Sequence, residues 1–351
     1  MRTITSRRLF RFLIVAAVVL LIGWPRAQAL QKVTINYPTR SGASWPLYIA
    51  KDGGYYQKYG LDVELKFGVH PTGIAMLTNG EAVMINHSLE QGMNASKTDP
   101  SAFVLTGSSS NKGVFALIGQ KELTSPKQLK GKKIAVGALG DAPYNYTVAL
   151  LGTYGIGPRD VEWVQVGSDV NGRAAALTTN RADATLLTAP NYFRLEETGY
   201  KNLANLAEHD VYAATVYLFS RPAVKTSPRL PEQIIKAHAE AIKRFYDDKA
   251  FAIKTYIAYD RQPEPDVTRI YDIYQKGNIF DRVPYVMGEA VSSIIKQQVD
   301  PRQAADFKAF DFRRAIDNST VERLVKEGFF RQLFGAGVAA EEQRKAKLAF
   351  R

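Results

Sequence analysis

Cysteine is missing from all 351 residues. That excludes disulfides, zinc–thiolate sites and thiol nucleophiles, and it excludes a lipidated N-terminus, which needs a cysteine at the cleavage point. Histidine is scarce. His70, His87, His209 and His238 are scattered without metal-ligand spacing, so neither a metal nor another cofactor is expected. Catalytic signatures are also absent: no G-x-S-x-G, no H-E-x-x-H, no P-loop, and no G-x-G-x-x-G after a strand. The paired acids Asp247 and Asp248 read as a solvated helix face. The chain is therefore not expected to be an enzyme. Its formal charge is +12, but no basic block or RNA-binding signature appears, so nucleic acid is not an expected partner.

What is present begins with an export signal. "MRTITSRRLFR" carries four arginines and no acid, "FLIVAAVVLLIGW" is a thirteen-residue apolar run, and "PRAQA" supplies an A-x-A ending at Ala29. A membrane span needs roughly 20 apolar residues, so residues 1–29 read as a cleaved secretory signal peptide. "SRRLF" also resembles a twin-arginine signal, and the export route stays open. Cleavage leaves 41 basic and 34 acidic residues, a net +7. The mature protein is expected to be soluble in a periplasm.

The body of the chain says the same thing twice. "QKVTINY" (31–37) alternates as a strand, a Gly/Ser loop follows, and "PLYIAKDGGYYQKYG" reads as one helix opened by Pro46 and stopped by Gly60, before the strand "LDVELKF" (61–67). In the second half "KKIAVG" (132–137), a loop, a helix over 142–154 and "VEWVQVG" (161–167) repeat the order. "AMLTNGEAVMIN" (75–86) and "AALTTNRADATLL" (175–187) match at an offset of one hundred residues. Strand–helix–strand units of this kind predict parallel α/β sheets with helices on both faces. "NKGVFALIGQ" (111–120) and "YAATVYLFSRPAV" (212–224) read as crossovers. The remainder is helical, with one long amphipathic stretch over 231–259. Two jaws joined by two crossings make a hinged clamshell. The expected boundaries are a first lobe of 30–118 and 216–335, a second lobe of 119–215, and a charged tail of 336–351, either a solvated terminal helix or frayed.

The ordered series "WPLYIAKDGGYYQKYGLDVEL" (45–65), "LTNGEAVMIN" (77–86), "LKGKKIAVG" (129–137), "GIGPRDVEWVQVG" (155–167) and "RADATLLTAP" (181–190) resembles the solute-binding proteins of ABC importers. The branch is the one for nitrate, sulfonate, taurine and thiamine-precursor pyrimidines. The resemblance spans about residues 31–225. It implies a two-lobed type II periplasmic binding-protein fold and a monomer. It also implies capture of a small-molecule solute and delivery to an ABC permease in the inner membrane. Two rival readings follow from the same fold: an enzyme akin to the pyrimidine synthase of thiamine biosynthesis, or a ligand-sensing ectodomain. The former relies on cysteines that this chain lacks; the latter needs a membrane segment and an output domain.

Ligands of open α/β sheets bind beyond the carboxyl ends of the strands. Those loops nominate Ser41, Ser44 and Trp45 from 41–45, Asn86 and Ser88 from 86–92, and Ser108 and Asn111 from 106–111. On the second lobe they nominate Asp141 and Tyr144 from 138–144, Asn171 and Arg173 from 168–173, and Pro190 from 188–193. Each has a plainer reading beside the functional one. Trp45 can cap the core behind Pro46, Ser88 and Asp141 can cap helices, and Arg173 can clamp a carboxylate or sulfonate or be a solvated or lobe-bridging arginine. Helix N-termini in these loops are expected to favour an anion.

Overall fold

The computed structural model describes residues 29–167, 169–209, 214–298 and 300–351. The signal-peptide reading of 1–29 therefore lies outside the described residues, apart from Ala29. Among those described, no helix is long and apolar enough to cross a membrane.

Two five-stranded sheets carry the architecture. In the first, β1 (Gln31–Tyr37) and β2 (Leu61–Phe67) form a parallel pair over their whole length, and β1 also runs parallel to β3 (Met84–Ser88). Helices α1 (Trp45–Asp52) and α2 (Tyr55–Lys58) connect β1 to β2, and α3 (His70–Thr78) connects β2 to β3. Where the sequence reads as one helix there are two. Gly53 and Gly54 interrupt it, and Gly54 at φ +72° adopts the left-handed conformation that a side chain disfavours. Helix α4 (Leu89–Thr98) leads to β4 (Phe103–Ser110). The stretch "TGSSS", expected to be a loop, is the second half of that strand.

The second sheet repeats the plan with β5 (Phe115–Gly119), β6 (Lys133–Val136), α5 (Ala142–Gly152), β7 (Glu162–Gln165), α6 (Val170–Thr178), β8 (Ala184–Thr188), α7 (Asn191–Glu197) and β9 (Lys201–Asn205). Strand β10 (Thr215–Ser220) then returns to the first sheet. The orders are β2-β1-β3-β10-β4 and β7-β6-β8-β5-β9.

Neither sheet is purely parallel, which corrects the sequence expectation. The two crossing strands are the exceptions. β10 lies antiparallel between β3 and β4, and β5 lies antiparallel between β8 and β9. The internal repeat holds even here: Ser88 faces Thr215 and Thr188 faces Phe115, the same pairing with both partners moved by one hundred. Because all of β5 pairs in the second sheet, the chain leaves the first at 111–114, ahead of the boundary read at 118.

The C-terminal region is helical: α8 (Arg221–Thr226), α9 (Leu230–Asp247), α10 (Lys249–Asp260), α11 (Glu264–Lys276), α12 (Gly288–Gln297), α13 (Pro301–Ala309), α14 (Ser319–Lys326), α15 (Phe329–Phe334) and α16 (Ala339–Leu348). The long stretch 231–259 breaks at Asp248, whose carboxylate caps α10 by accepting the Phe251 N–H at 3.0 Å. The charged tail is a terminal helix, one of its two expected forms, but it is anchored and not merely solvated. Lys345 is buried, 2.5 Å from Asp281, and Glu342 is buried 3.1 Å from Arg331.

Packing centres on an aromatic nest between α1 and these helices. Trp45 has no exposed surface and meets Phe245, Tyr256, Tyr271 and Tyr274 at centroid distances of 4.5–5.9 Å. Its indole N–H donates to the Ala252 carbonyl at 2.7 Å. Replacing Trp45 by Ala removes a fully buried ring and is expected to lower the unfolding free energy by about 3–5 kcal/mol. Urea titration followed by circular dichroism measures it, and an unchanged midpoint would contradict the packing described.

Candidate functional site

In both sheets the parallel strands point their carboxyl ends towards loops that carry the nominated residues, and the lobes touch near those loops. On the first lobe, the turn after β1 is drawn onto the end of β3. The Asn86 amide donates to the Ala43 carbonyl at 3.1 Å, while its Oδ1 is buried without a partner. Ser44 is buried and donates to the Thr39 carbonyl at 2.7 Å, and Ser41 shares a 3.1 Å hydroxyl contact with Thr39. Ser88 caps α4, accepting the Gln91 N–H at 3.4 Å. Ser41, Ser44, Asn86 and Ser88 thus form one group.

On the second lobe, Asp141 caps α5 and accepts from the Tyr144 and Ala138 N–H groups at 2.8 and 3.0 Å. Burial raises its pKa against these hydrogen bonds and against Arg173. The Tyr144 ring packs edge-on to Trp163 at 4.6 Å. Arg173 is buried on α6; its Nε donates to the Leu186 carbonyl of β8 at 3.3 Å, and burial lowers its pKa while Asp141 and Asp169 raise it. Asn171 is exposed at the start of α6, where its N–H donates to the cap Asp169 at 3.0 Å. Pro190 is buried at the start of α7 after a cis peptide bond.

Arg173 fits because its lobe makes room. In the first lobe the matching helix position is Gly73, where a Cβ would lie 2.2 Å from Ile85 and 2.4 Å from Asn36. The sheet supplies the polar group there, with Asn36 donating to the Lys66 and Gly68 carbonyls at 3.1 Å. In the second lobe the sheet residue is Ala135, and the helix supplies Arg173.

Three nominated residues are engaged elsewhere. Trp45 is enclosed by the aromatic nest, so it supports its loop from behind and offers no ring to a ligand. Ser108, buried in β4, donates to the Ser110 and Thr215 carbonyls at 2.9 and 3.0 Å. Asn111 donates to Asp281 at the first crossing. The expectation of anion-binding helix N-termini also changes. The first turns hold Glu90 on α4, with Asp141 capping α5 and Asp169 capping α6, so each already carries a carboxylate where an anion would sit.

Other residues at these loop ends were not nominated. Glu90 on α4 is buried and accepts from Asn145 of α5 and from Gln298, the latter at 3.2 Å, so it joins the lobes. A second seam pairs Arg269 of α11 with Glu196 of α7 at 2.6 Å, the guanidinium lying 3.8 Å over the Phe193 ring. Arg40 lies 4.5 Å over Phe67. Phe67, Val69 and Leu139, exposed by 44%, 51% and 54%, are among the few large apolar side chains left in solvent, and all three stand at these loop ends. A groove of about 630 Å³ along Lys32, Asp62, Glu64 and Glu81 lies instead at the amino ends of β1 to β3, away from these groups. Among the described residues no cluster of three or more His, Cys, Asp or Glu could hold a metal ion.

His70 and His87 stack at 4.3 Å with their rings 26° apart. Neither nitrogen of His87 has a partner. Burial lowers both pKa values, His70 to about 4, and His87 is pushed down further by His70. A histidine held neutral in the fold takes up fewer protons than in the unfolded chain, so its neutral form is favoured above pH 6.5 and stability falls as pH drops below it. Unfolding free energy is expected to decline from pH 6.5 towards 4, with a shallower slope in His87→Gln. Parallel slopes in denaturant titrations across that range would contradict this.

A family model described as "NMT1/THI5 like" matches residues 42–250. No curated protein matches the chain. Solved structures do. The putative periplasmic sulfonate-binding protein SsuA of Methylobacillus flagellatus is 19% identical with a TM-score of 0.68, covering 88% of this chain and 97% of its own. The alkanesulfonate-binding SsuA of Xanthomonas axonopodis pv. citri, bound to MOPS, is 18% identical with a TM-score of 0.65, covering 84% and 100%. The desulfurization enzyme DSZB is 18% identical with a TM-score of 0.60, covering 85% and 99%.

Proposed function

The chain belongs to the NMT1/THI5-like family, and on that premise we propose that it is an extracytoplasmic receptor that captures a small solute between its lobes and hands it to an ABC importer. The observation that carries the reading is the facing pair of loop sets at the carboxyl ends of two sheets that share one plan. Structural likeness to sulfonate-binding proteins supports it. The cargo is a small anionic or polar organic solute of the sulfonate, taurine or nitrate kind.

Ser41, Asn86 and Ser88 face it from one lobe, and Tyr144, Asn171 and Arg173 from the other. Within that class, the acids on α4, α5 and α6 rank a solute that carries hydrogen-bond donors beside its acidic group, such as taurine, ahead of nitrate. A solute touching both lobes shifts their equilibrium towards contact. The protein acts as a monomer, without a cofactor, after export and cleavage near Ala29.

The desulfurization enzyme among the structural neighbours keeps an enzyme reading in view. The absence of cysteine removes thiol chemistry from it.

Mass spectrometry of small molecules released on denaturation, followed by calorimetry with MOPS, taurine and nitrate, decides between the readings. The receptor returns its solute unchanged; turnover of a bound sulfonate or sulfinate would establish an enzyme. Asn86→Ala and Asn171→Ala each remove one uncharged hydrogen-bonding group and are expected to weaken binding by about 0.5–1.5 kcal/mol. No change from either would put the ligand elsewhere. N-terminal sequencing of the periplasmic protein should begin near Leu30, and full-length chain in the membrane fraction would refute export with cleavage.

A further inference from the structure

The seam between the lobes is short of hydrogen-bond donors. Three buried side chains meet there: Glu90 from the first turn of α4, Asn145 from α5, and Gln298 just beyond α12. Asn145 Nδ2 donates to Glu90 Oε1 and to the Gly140 carbonyl at 3.3 Å. Gln298 Nε2 donates to the same Glu90 oxygen at 3.2 Å and to the Ile294 carbonyl at 3.0 Å. A primary amide has two N–H groups, so all four are in use. Turning either amide over would set its oxygen against two acceptors, which fixes their orientation. Three oxygens then remain buried with no partner: Glu90 Oε2, Asn145 Oδ1 and Gln298 Oε1. Buried acceptors left in this way are costly.

The charged surroundings offer no remedy. Asp141, capping α5, is the charge that acts on Glu90, and it is negative. Arg173 is drawn to Asp141 and Asp169 on its own lobe. Asp300 caps α13 beyond Gln298, Tyr146 is buried on α5, His87 is held neutral on β3, and Lys97 at the far end of α4 pairs with Asp306 at 3.2 Å.

We propose that the lobe seam is a proton-binding site, in which a neutral Glu90 carboxyl gives one amide oxygen the donor it lacks and latches α4 to α5, whereas an ionised Glu90 drives the lobes apart. One proton moves from solvent to Oε2 and no other bond changes. The consequence for solute capture rests on the receptor reading above; the latch itself does not. Burial raises the Glu90 pKa to about 7 in the closed seam, against 4.5 for an ordinary glutamate; the hydrogen bonds from Asn145 and Gln298 pull it back down and Asp141 adds to the rise, and burial outweighs the amides. The closed state therefore holds more protons between these values. Closure weakens as pH rises from about 4.5 and levels off above about 7, by on the order of a hundredfold in the open-to-closed ratio.

The test uses the unliganded, full-length mature protein, so its failure is separate from any failure to find a solute. Small-angle scattering from pH 4.5 to 8 should show the wild type expanding, while Glu90→Gln, whose amide supplies the missing donor at every pH, stays compact. Carbon-13 NMR of labelled glutamate carboxyls, with the Glu90 signal identified by its loss in the variant, should titrate near neutrality. In Asn145→Ala, which removes the cross-lobe bond but leaves the carboxyl, scattering should no longer change with pH. An ordinary midpoint in the wild type, or equal scattering curves for wild type and Glu90→Gln, would overturn the proposal. So would a lobe spacing that follows sodium concentration at fixed pH, since the oxygens would then be holding a metal cation.

Discussion

The backbone ladder β3-β10-β4 is the constraint on which the rest of the molecule depends. β3 and β4 are both parallel-type strands of one lobe, yet they do not pair with each other; a strand from beyond the second lobe stands between them, antiparallel to both. Buried N–H and C=O groups must be matched, so the first sheet is incomplete until the chain has left, built the second sheet and come back. The second sheet has the same gap between β8 and β9, filled by β5. Two crossings are thus required by hydrogen bonding, and they tie the lobes side by side with their carboxyl ends turned to common ground. The facing loop sets follow from this pairing.

Much of this was legible. β1 and β2 coincide with "QKVTINY" and "LDVELKF" because period-two alternation survives wherever one face of a strand is buried. The hundred-residue echo at Ala75/Ala175 and Leu77/Leu177 marks α3 and α6, which end on matching Asn79-Gly80 and Thr179-Asn180 turns, with Gly80 and Asn180 both at positive φ. The antiparallel sense of β5 and β10 was not legible, since an apolar run buried on both faces reads alike in either direction. Nor was the fate of "TGSSS": its small hydroxyls suggest a loop, but in β4 its backbone pairs with β10 and the Ser108 hydroxyl is taken up by carbonyls.

Legibility at the site was uneven for a physical reason. Capping is local, so Ser88 and Asp141 could be read three residues ahead of the N–H groups they accept from. Trp45 depends on rings some two hundred residues away, and nothing beside Pro46 announces them. Glu90 carries a signal that points the wrong way. An acid in the first turn of a helix is ordinarily a solvated partner of the helix dipole, and only the approach of α5 and Gln298 makes it a buried group short of donors. Arg173 becomes intelligible once the lobes are superposed by their echo, since Gly73 and Asn36 exchange places with Arg173 and Ala135 in bulk and polarity.

Asp281 joins three distant parts of the chain. It accepts from Asn111 at the first crossing, its N–H donates to Ser109, and it pairs with Lys345 of α16 at 2.5 Å. During synthesis Asn111 emerges long before either partner. The first crossing therefore cannot be pinned as it is made; it stays loose while the second lobe and the helices are still being translated. For the exported receptor proposed above, that order makes this junction one of the last parts of the fold to close, after both lobes and the terminal helix exist.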